Sequence, residues 1–168
     1  MIKKIIFLLS ALGTVFFISI NSVQAIDAST QLTIERAGRM VASSYKTGNP
    51  DKKLFGLHKD YLPKRPRDLI HTTKSIEIIT KHSLQETNEK SSSITGYKQY
   101  ENWLSDVRRN FRFPDNLDVR TMSTCLDGCC KFSLDGGISH NHLYLTQACF
   151  YIEESKPYLK SITLLDSD

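Results

Sequence analysis

Four cysteines raise the first chemical question: Cys125, Cys129, Cys130 and Cys149 all fall in the last third of the 168-residue chain. Such a set can form disulfides or hold a metal. Structural zinc sites pair their cysteines at C-x2-C to C-x4-C twice over, whereas adjacent Cys129 and Cys130 point to opposite faces of any strand. The spacing therefore favours two disulfides. An even count in an oxidising compartment leaves no reactive thiol, and the sequence holds no C-x-x-C motif, so thiol catalysis is not expected. His140 and His142 stand at an i, i+2 spacing, which on an extended segment turns both imidazoles to one side, as metal ligands would be. A third ligand would have to come from His58, His71 or His82, all distant in sequence, so the pair reads as solvated turn residues and no metal is assigned.

Acid–base chemistry would need a carboxylic acid in apolar surroundings, where burial raises its pKa. Asp127, Asp135, Glu153 and Glu154 sit in turn sequences, and Glu101 and Asp106 on a helix surface. No catalytic residue is assigned. The cations are more suggestive. Lys64, Arg65 and Arg67 in a proline-rich loop, with Arg108, Arg109 and Arg112 on a helix, form a candidate anion-recognising surface, since the guanidinium fork binds oxyanions at two points. Asp60, Asp68, Glu101 and Asp106 are interleaved with them, and the plainer reading is a solvated charged face.

The compartment follows from the N-terminus. Met1-Ile2-Lys3-Lys4 precedes a nearly apolar run from Ile5 to Ile20, and Asn21-Ser22-Val23-Gln24-Ala25 closes it. This is the basic, apolar and small-residue order of a cleaved signal peptide, residues 1–25, with the cut expected after Ala25. The run is shorter than the roughly 20 apolar residues of a spanning helix, and it holds Ser10, Gly13, Thr14 and Ser19. Residues 26–168 are then expected to form a single soluble domain in the periplasm or secreted, with no integral membrane segment. Two of the 22 cations leave with the leader, so 20 face 18 acids and the net charge falls from +4 to +2. Such a small excess gives no reason to expect nucleic acid as partner.

The elements that must position these groups can be read from periodicity. Leu32, Ile34, Ala37, Met40, Val41 and Tyr45 follow a helical repeat, with Ser29 or Thr30 as N-cap and Gly48 as terminator. Asn49-Pro50-Asp51 predicts the start of a second helix carrying Leu54, Phe55 and Leu57. The prolines at 63 and 66 make a loop, Ser75 to His82 a strand, and Asn88 to Ser93 a polar linker. Thr95 is expected to cap a third helix bearing Tyr97, Tyr100, Leu104, Val107 and Phe111. Four strands follow, at about 117–125, 129–134, 141–152 and 158–165, joined by turns as an antiparallel meander. A register with Cys130 opposite Cys149 also sets Phe132 opposite Gln147 and Leu134 opposite Leu145, and the next strand sets Ile162 opposite Gln147 and Leu164 opposite Leu145. Cys125 then faces Cys129 across the loop Leu126-Asp127-Gly128, which predicts Cys125–Cys129 and Cys130–Cys149, though four cysteines allow three connectivities.

Helix, a second helix after Thr47-Gly48-Asn49-Pro50-Asp51, a strand region, a third helix, and a long meander ending Lys156-Pro157-Tyr158-Leu159-Lys160-Ser161-Ile162: this order resembles the nuclear transport factor two-like superfamily. The resemblance implies an α+β cone, with three N-terminal and central helices packed on a curved antiparallel meander around an interior pocket, here with two disulfides. Enzymes of that family place an aspartate, histidine or tyrosine in the cone, and no pattern in this chain matches those sites. The expectation is an exported ligand- or partner-binding protein without catalytic activity. It would be a secretion-linked or virulence-associated factor with an anion-recognising surface, whose partner is a protein, a small molecule or an anionic lipid. No cofactor is expected, and a homodimer would form through the sheet. The alternative is a small-molecule isomerase, dehydratase or hydrolase using the cone pocket.

Overall fold

The computed structural model describes residues 27–50, 63–82, 89–110, 122–132 and 143–167. Helix α1 (Ala28–Thr47) starts one residue pair earlier than its apolar repeat indicates, because Asp27 is the N-cap in place of Ser29 or Thr30. Its Oδ1 accepts the amides of Ser29 and Thr30, both at 2.9 Å, and hydrogen bonds from Thr30 hold the carboxyl below its usual range. Gly48, at φ 62°, ends α1 in the left-handed conformation that glycine adopts without a Cβ penalty.

Beyond α1 lie β1 (Ser75–Lys81), β2 (Glu89–Thr95), α2 (Gly96–Asn110), β3 (Met122–Leu126), β4 (Cys129–Phe132), β5 (Leu143–Glu153) and β6 (Lys156–Asp166). The strands form one sheet in the order β2-β1-β6-β5-β4-β3, with β1 parallel to β6 and every other pair antiparallel. This corrects the expected architecture. Among the described residues there are two α-helices rather than three, and a six-stranded mixed sheet dominates in place of a purely antiparallel meander. The expected second helix falls on residues 51–57, which lie outside the described residues; Asn49 and Pro50 are not helical.

The stretch expected as a polar linker is strand β2. Glu89 to Ser93 are exposed on both faces, so no apolar alternation marks them. Their strand state rests on backbone pairing to β1, and the edge position tolerates a wholly polar surface. Thr95 does not cap α2: it ends β2, with its hydroxyl 2.9 Å from Ser75 Oγ and its amide donated to Gln99 Oε1.

One core lies between the helices and the sheet. Ile34, Ala37, Met40, Val41 and Tyr45 of α1 and Tyr100, Leu104 and Val107 of α2 pack with Ile76 and Ile78 of β1 and the inner rows of β5 and β6. Those rows pair Leu145 with Leu164, as expected, but Ala148 with Ile162 and Phe150 with Leu159. Irregularities in the ladder, one of them at Thr146, shift the inward parity between Leu145 and Ala148 and so move Gln147 off the core face. Tyr100 is wholly buried beside Ser44 Oγ, 3.1 Å from its hydroxyl, and burial pushes its pKa up to about 12.

All four cysteines are disulfide-bonded, but in a different pairing: Cys125–Cys130 and Cys129–Cys149. The expected register was off by one. Asp127 (φ 50°) and Gly128 (φ 78°) form a two-residue turn, Leu126 pairs with Cys129, and Cys125 therefore faces Cys130. On the other side Cys129 faces Cys149 and Cys130 faces Ala148. The adjacent cysteines do point to opposite faces. Cys125–Cys130 is buried in the core under α1, and Cys129–Cys149 is half-buried on the outer face.

Candidate functional site

The parallel register of β1 with β6 sets Glu77 beside Ser161, so the residues just before β1 come level with the start of β6 and the β5–β6 turn. Between them lies a cavity of about 410 Å³ lined by Pro63, Asp68, Ile70, His71, Thr72, Lys156, Pro157 and Tyr158. Each wall has a local cause. A 3-10 turn, Pro66–Leu69, is anchored in the core by Leu69, and Asp68 Oδ2 accepts the amides of Lys64 at 3.1 Å and Arg65 at 2.9 Å. That fixes the carboxylate at the pocket wall. The opposite wall is a tight hairpin whose Glu154 and Ser155 both have positive φ, 49° and 63°.

His71 is oriented by its own backbone. The amides of Thr73 and Lys74 donate to Nδ1 at 3.1 and 3.3 Å, so the neutral ring carries its hydrogen on Nε2. Nε2 lies 3.8 Å from Glu153 Oε2, beyond hydrogen-bond range, and Tyr158 meets the ring edge-to-face at 5.0 Å. Glu153 is engaged instead by Lys74, whose Nζ is 2.6 Å from Oε2 and 4.5 Å over the Tyr151 ring. The Lys74 hydrogen bond holds the Glu153 carboxyl below its usual value, and Glu153 raises Lys74 in return. Tyr151 and Tyr158, directly paired across the hairpin, stack at 5.6 Å. The Tyr151 hydroxyl is enclosed with no hydrogen-bond partner among the described residues, and burial raises its pKa.

Chemically, this is a hydrogen-bond donor and a cation, His71 and Lys156, beside a carboxylate, Asp68, on apolar walls from Pro63, Ile70, Pro157 and Tyr158. With Nδ1 accepting the two amides, the ring atom left over in this tautomer, Nε2–H, is a hydrogen-bond donor and not a base.

The cations singled out by sequence are only partly gathered here. Lys64 and Arg65 follow the pocket residue Pro63 in the chain, and Lys64 is exposed. Arg67 lies over the Tyr97 ring at 4.8 Å. Arg109 pairs with Asp106 at 3.5 Å on α2, and the Arg108 stem lies against Gly48 at the end of α1. Arg112, His140 and His142 lie outside the described residues. Among the described residues no three histidine, cysteine or acidic side chains gather as a metal site, and no helix is long and apolar enough to cross a membrane. Sequence reasoning weighed His71 only as a distant third metal ligand, gave no role to Lys74, Lys156 or Tyr158, and assigned Glu153 to turn chemistry.

A second group lies at the far end of the sheet. Asp166 stands on the core face opposite Leu143, 8% exposed, with His82 Nδ1 3.8 Å from its Oδ2. The carboxylate, with Tyr100, adds to the burial that drives Tyr45 far above its ordinary pKa. Comparison with protein-family models, curated proteins and solved structures finds no match to this chain.

Proposed function

We propose that the chain is an exported binding protein, without catalytic activity, that holds a small organic anion in the pocket between the 63–72 segment and the β5–β6 hairpin. The observation that carries this reading is that Lys156 and His71, whose Nδ1 accepts two backbone amides and whose hydrogen is therefore on Nε2, line one apolar-walled cavity of about 410 Å³. Small-ligand sites have this character, a few placed polar groups in an apolar concavity of roughly 300–1,000 Å³. Lys64 and Arg65 follow the lining residue Pro63 in the chain, and their backbone amides are bound by the lining residue Asp68. The signal-peptide pattern and the two cystines support a periplasmic or secreted location. The resemblance to the nuclear transport factor two-like superfamily stays within this proposal; it rests on the element order read from the sequence, which the two helices and mixed sheet of the described residues alter, and carries no site residue to this chain.

Titration with hydrocinnamate, followed by amide NMR of the oxidised mature chain, tests the reading. Saturable shifts are expected at His71, Thr72 and Lys156 to Tyr158, and Lys156→Ala should weaken binding about tenfold, the worth of one charge-assisted hydrogen bond at a partly exposed site. Absence of shifts in that segment would remove the pocket as the ligand site.

One observation favours the second reading, a small-molecule isomerase, dehydratase or hydrolase: the buried Asp166 with His82 beside it, an acid of the kind such chemistry needs. Under that reading Asp166→Asn abolishes turnover while hydrocinnamate binding at the pocket is unchanged.

A further inference from the structure

We infer that the pocket ligand is a zwitterion with an apolar body, an apolar amino acid or a short peptide, recognised at both charged ends. This rests on the pocket being the ligand site as proposed above, and it goes further by assigning a role to Asp68. The lining carries one cation, Lys156, and one anion, Asp68, so its own charge is balanced. Neither group is spent within the protein. Lys74, Lys81 and Lys98 each hold a glutamate, whereas Lys156 has no acidic partner among the described residues. Asp68 uses Oδ2 for the amides of Lys64 and Arg65, which leaves Oδ1 with no partner among the described residues on a carboxylate whose orientation is already set. His71, with its hydrogen on Nε2, is a second donor in the lining, 3.8 Å from a Glu153 carboxylate already engaged by Lys74, and Thr72 follows it in the chain.

A dianion such as phosphate would bring two negative charges to a balanced wall that already holds Asp68, one more than Lys156 can meet, and the excess is repelled. A lone ammonium would meet Lys156 in the same way. A molecule with a carboxylate for Lys156 and His71, and an ammonium for Asp68, satisfies both. Pro63, Ile70, Pro157 and the Tyr158 ring then accept an apolar or aromatic side chain. A free amino acid and a dipeptide share this chemistry and differ in the spacing of their charges.

The experiment is isothermal titration of the oxidised mature chain at neutral pH with L-phenylalanine, L-leucyl-L-phenylalanine, hydrocinnamate, phenethylamine and inorganic phosphate. At least one zwitterion should bind about tenfold or more tighter than hydrocinnamate, which lacks the ammonium, and than phenethylamine, which lacks the carboxylate. Phosphate should not compete. Which zwitterion is tighter reports the charge spacing. Asp68→Asn keeps a side-chain oxygen for the two backbone amides, so Lys64 and Arg65 amide shifts should persist while the preference for zwitterion over hydrocinnamate disappears. Hydrocinnamate binding as tightly as both zwitterions, or an unchanged preference in Asp68→Asn, overturns this inference and leaves the anion site standing. If no probe binds, both fall.

Discussion

At the scale of the residue, the lining residue His71 is bordered by a pair, Lys74 and Glu153, whose charges neutralise each other. Lys74 and Glu153 are a solvent-accessible surface pair, so their energetic worth is small and screened by salt. Their titration is nonetheless informative. The hydrogen bond from Lys74 holds Glu153 below its ordinary 4.5, and the same bond lifts Lys74 above 10.5. The carboxylate's stabilising contribution is therefore full above pH 4.5 and is lost as pH falls through the depressed value. The ammonium's contribution is full below pH 10.5 and is lost as pH rises through the elevated one. Lys74→Met should move the Glu153 carboxyl carbon titration, read by NMR, back up toward its ordinary value. It should also free the Tyr151 ring of its overlying cation, with a ring-proton shift. A Glu153 titration that does not move would mean that Lys74 points elsewhere in solution.

At the scale of the element, a single turn decides the cysteine chemistry. Gly128 holds φ 78°, and a Cβ added there would stand 2.9 Å from the Phe150 carbonyl oxygen, which belongs to a strand and cannot step aside. Gly128→Ala should cost about 2 kcal/mol in urea denaturation, from left-handed strain plus that contact. Gly48→Ala should cost less, about 1 kcal/mol, because the atoms in its way are the flexible Arg108 side chain. The same Asp-Gly pair shows how far the sequence could be read. It is a strong two-residue hairpin signal, and weighing it above the pairing of Cys130 with Cys149 would have set the register correctly. Helix α1, strand β1 and the β5–β6 hairpin were legible because each carries buried apolar residues at its own period, bounded by turn residues. Strand β2 was not, because both its faces are wet and hydrophobic periodicity has nothing to report. The pocket was not legible either. His71, Lys156 and Tyr158 share no local motif, and only the parallel placement of β1 against β6, a tertiary event, brings them together.

At the scale of the whole molecule, strands β3, β4 and β5 are stapled from both sides: Cys125–Cys130 faces α1, and Cys129–Cys149 faces out. Cys130 Sγ sits 3.5 Å from the Ile34 carbonyl oxygen and is fully enclosed, whereas Cys129 and Cys149 are only half-buried. Access to an attacking thiolate therefore differs, and it is access that limits exchange in the folded state. The outer bond also closes the longer loop, a separation of 20 residues against 5. By chain entropy its loss costs roughly 3 kcal/mol, against roughly 2 for the inner one before any cost of disturbing the core. Brief treatment of the native protein with a mild thiol, followed by alkylation, should label Cys129 and Cys149 together and leave Cys125 and Cys130 bonded. This also settles connectivity where proteolysis between adjacent cysteines cannot. Joint labelling of Cys129 with Cys125 would restore the register in which a three-residue loop joins β3 to β4. Joint labelling of Cys125 with Cys130 ahead of the outer pair would mean that α1 does not cover them. Only the first result is compatible with a sheet whose inner face is sealed by the helix and whose outer face carries the bond most readily reduced.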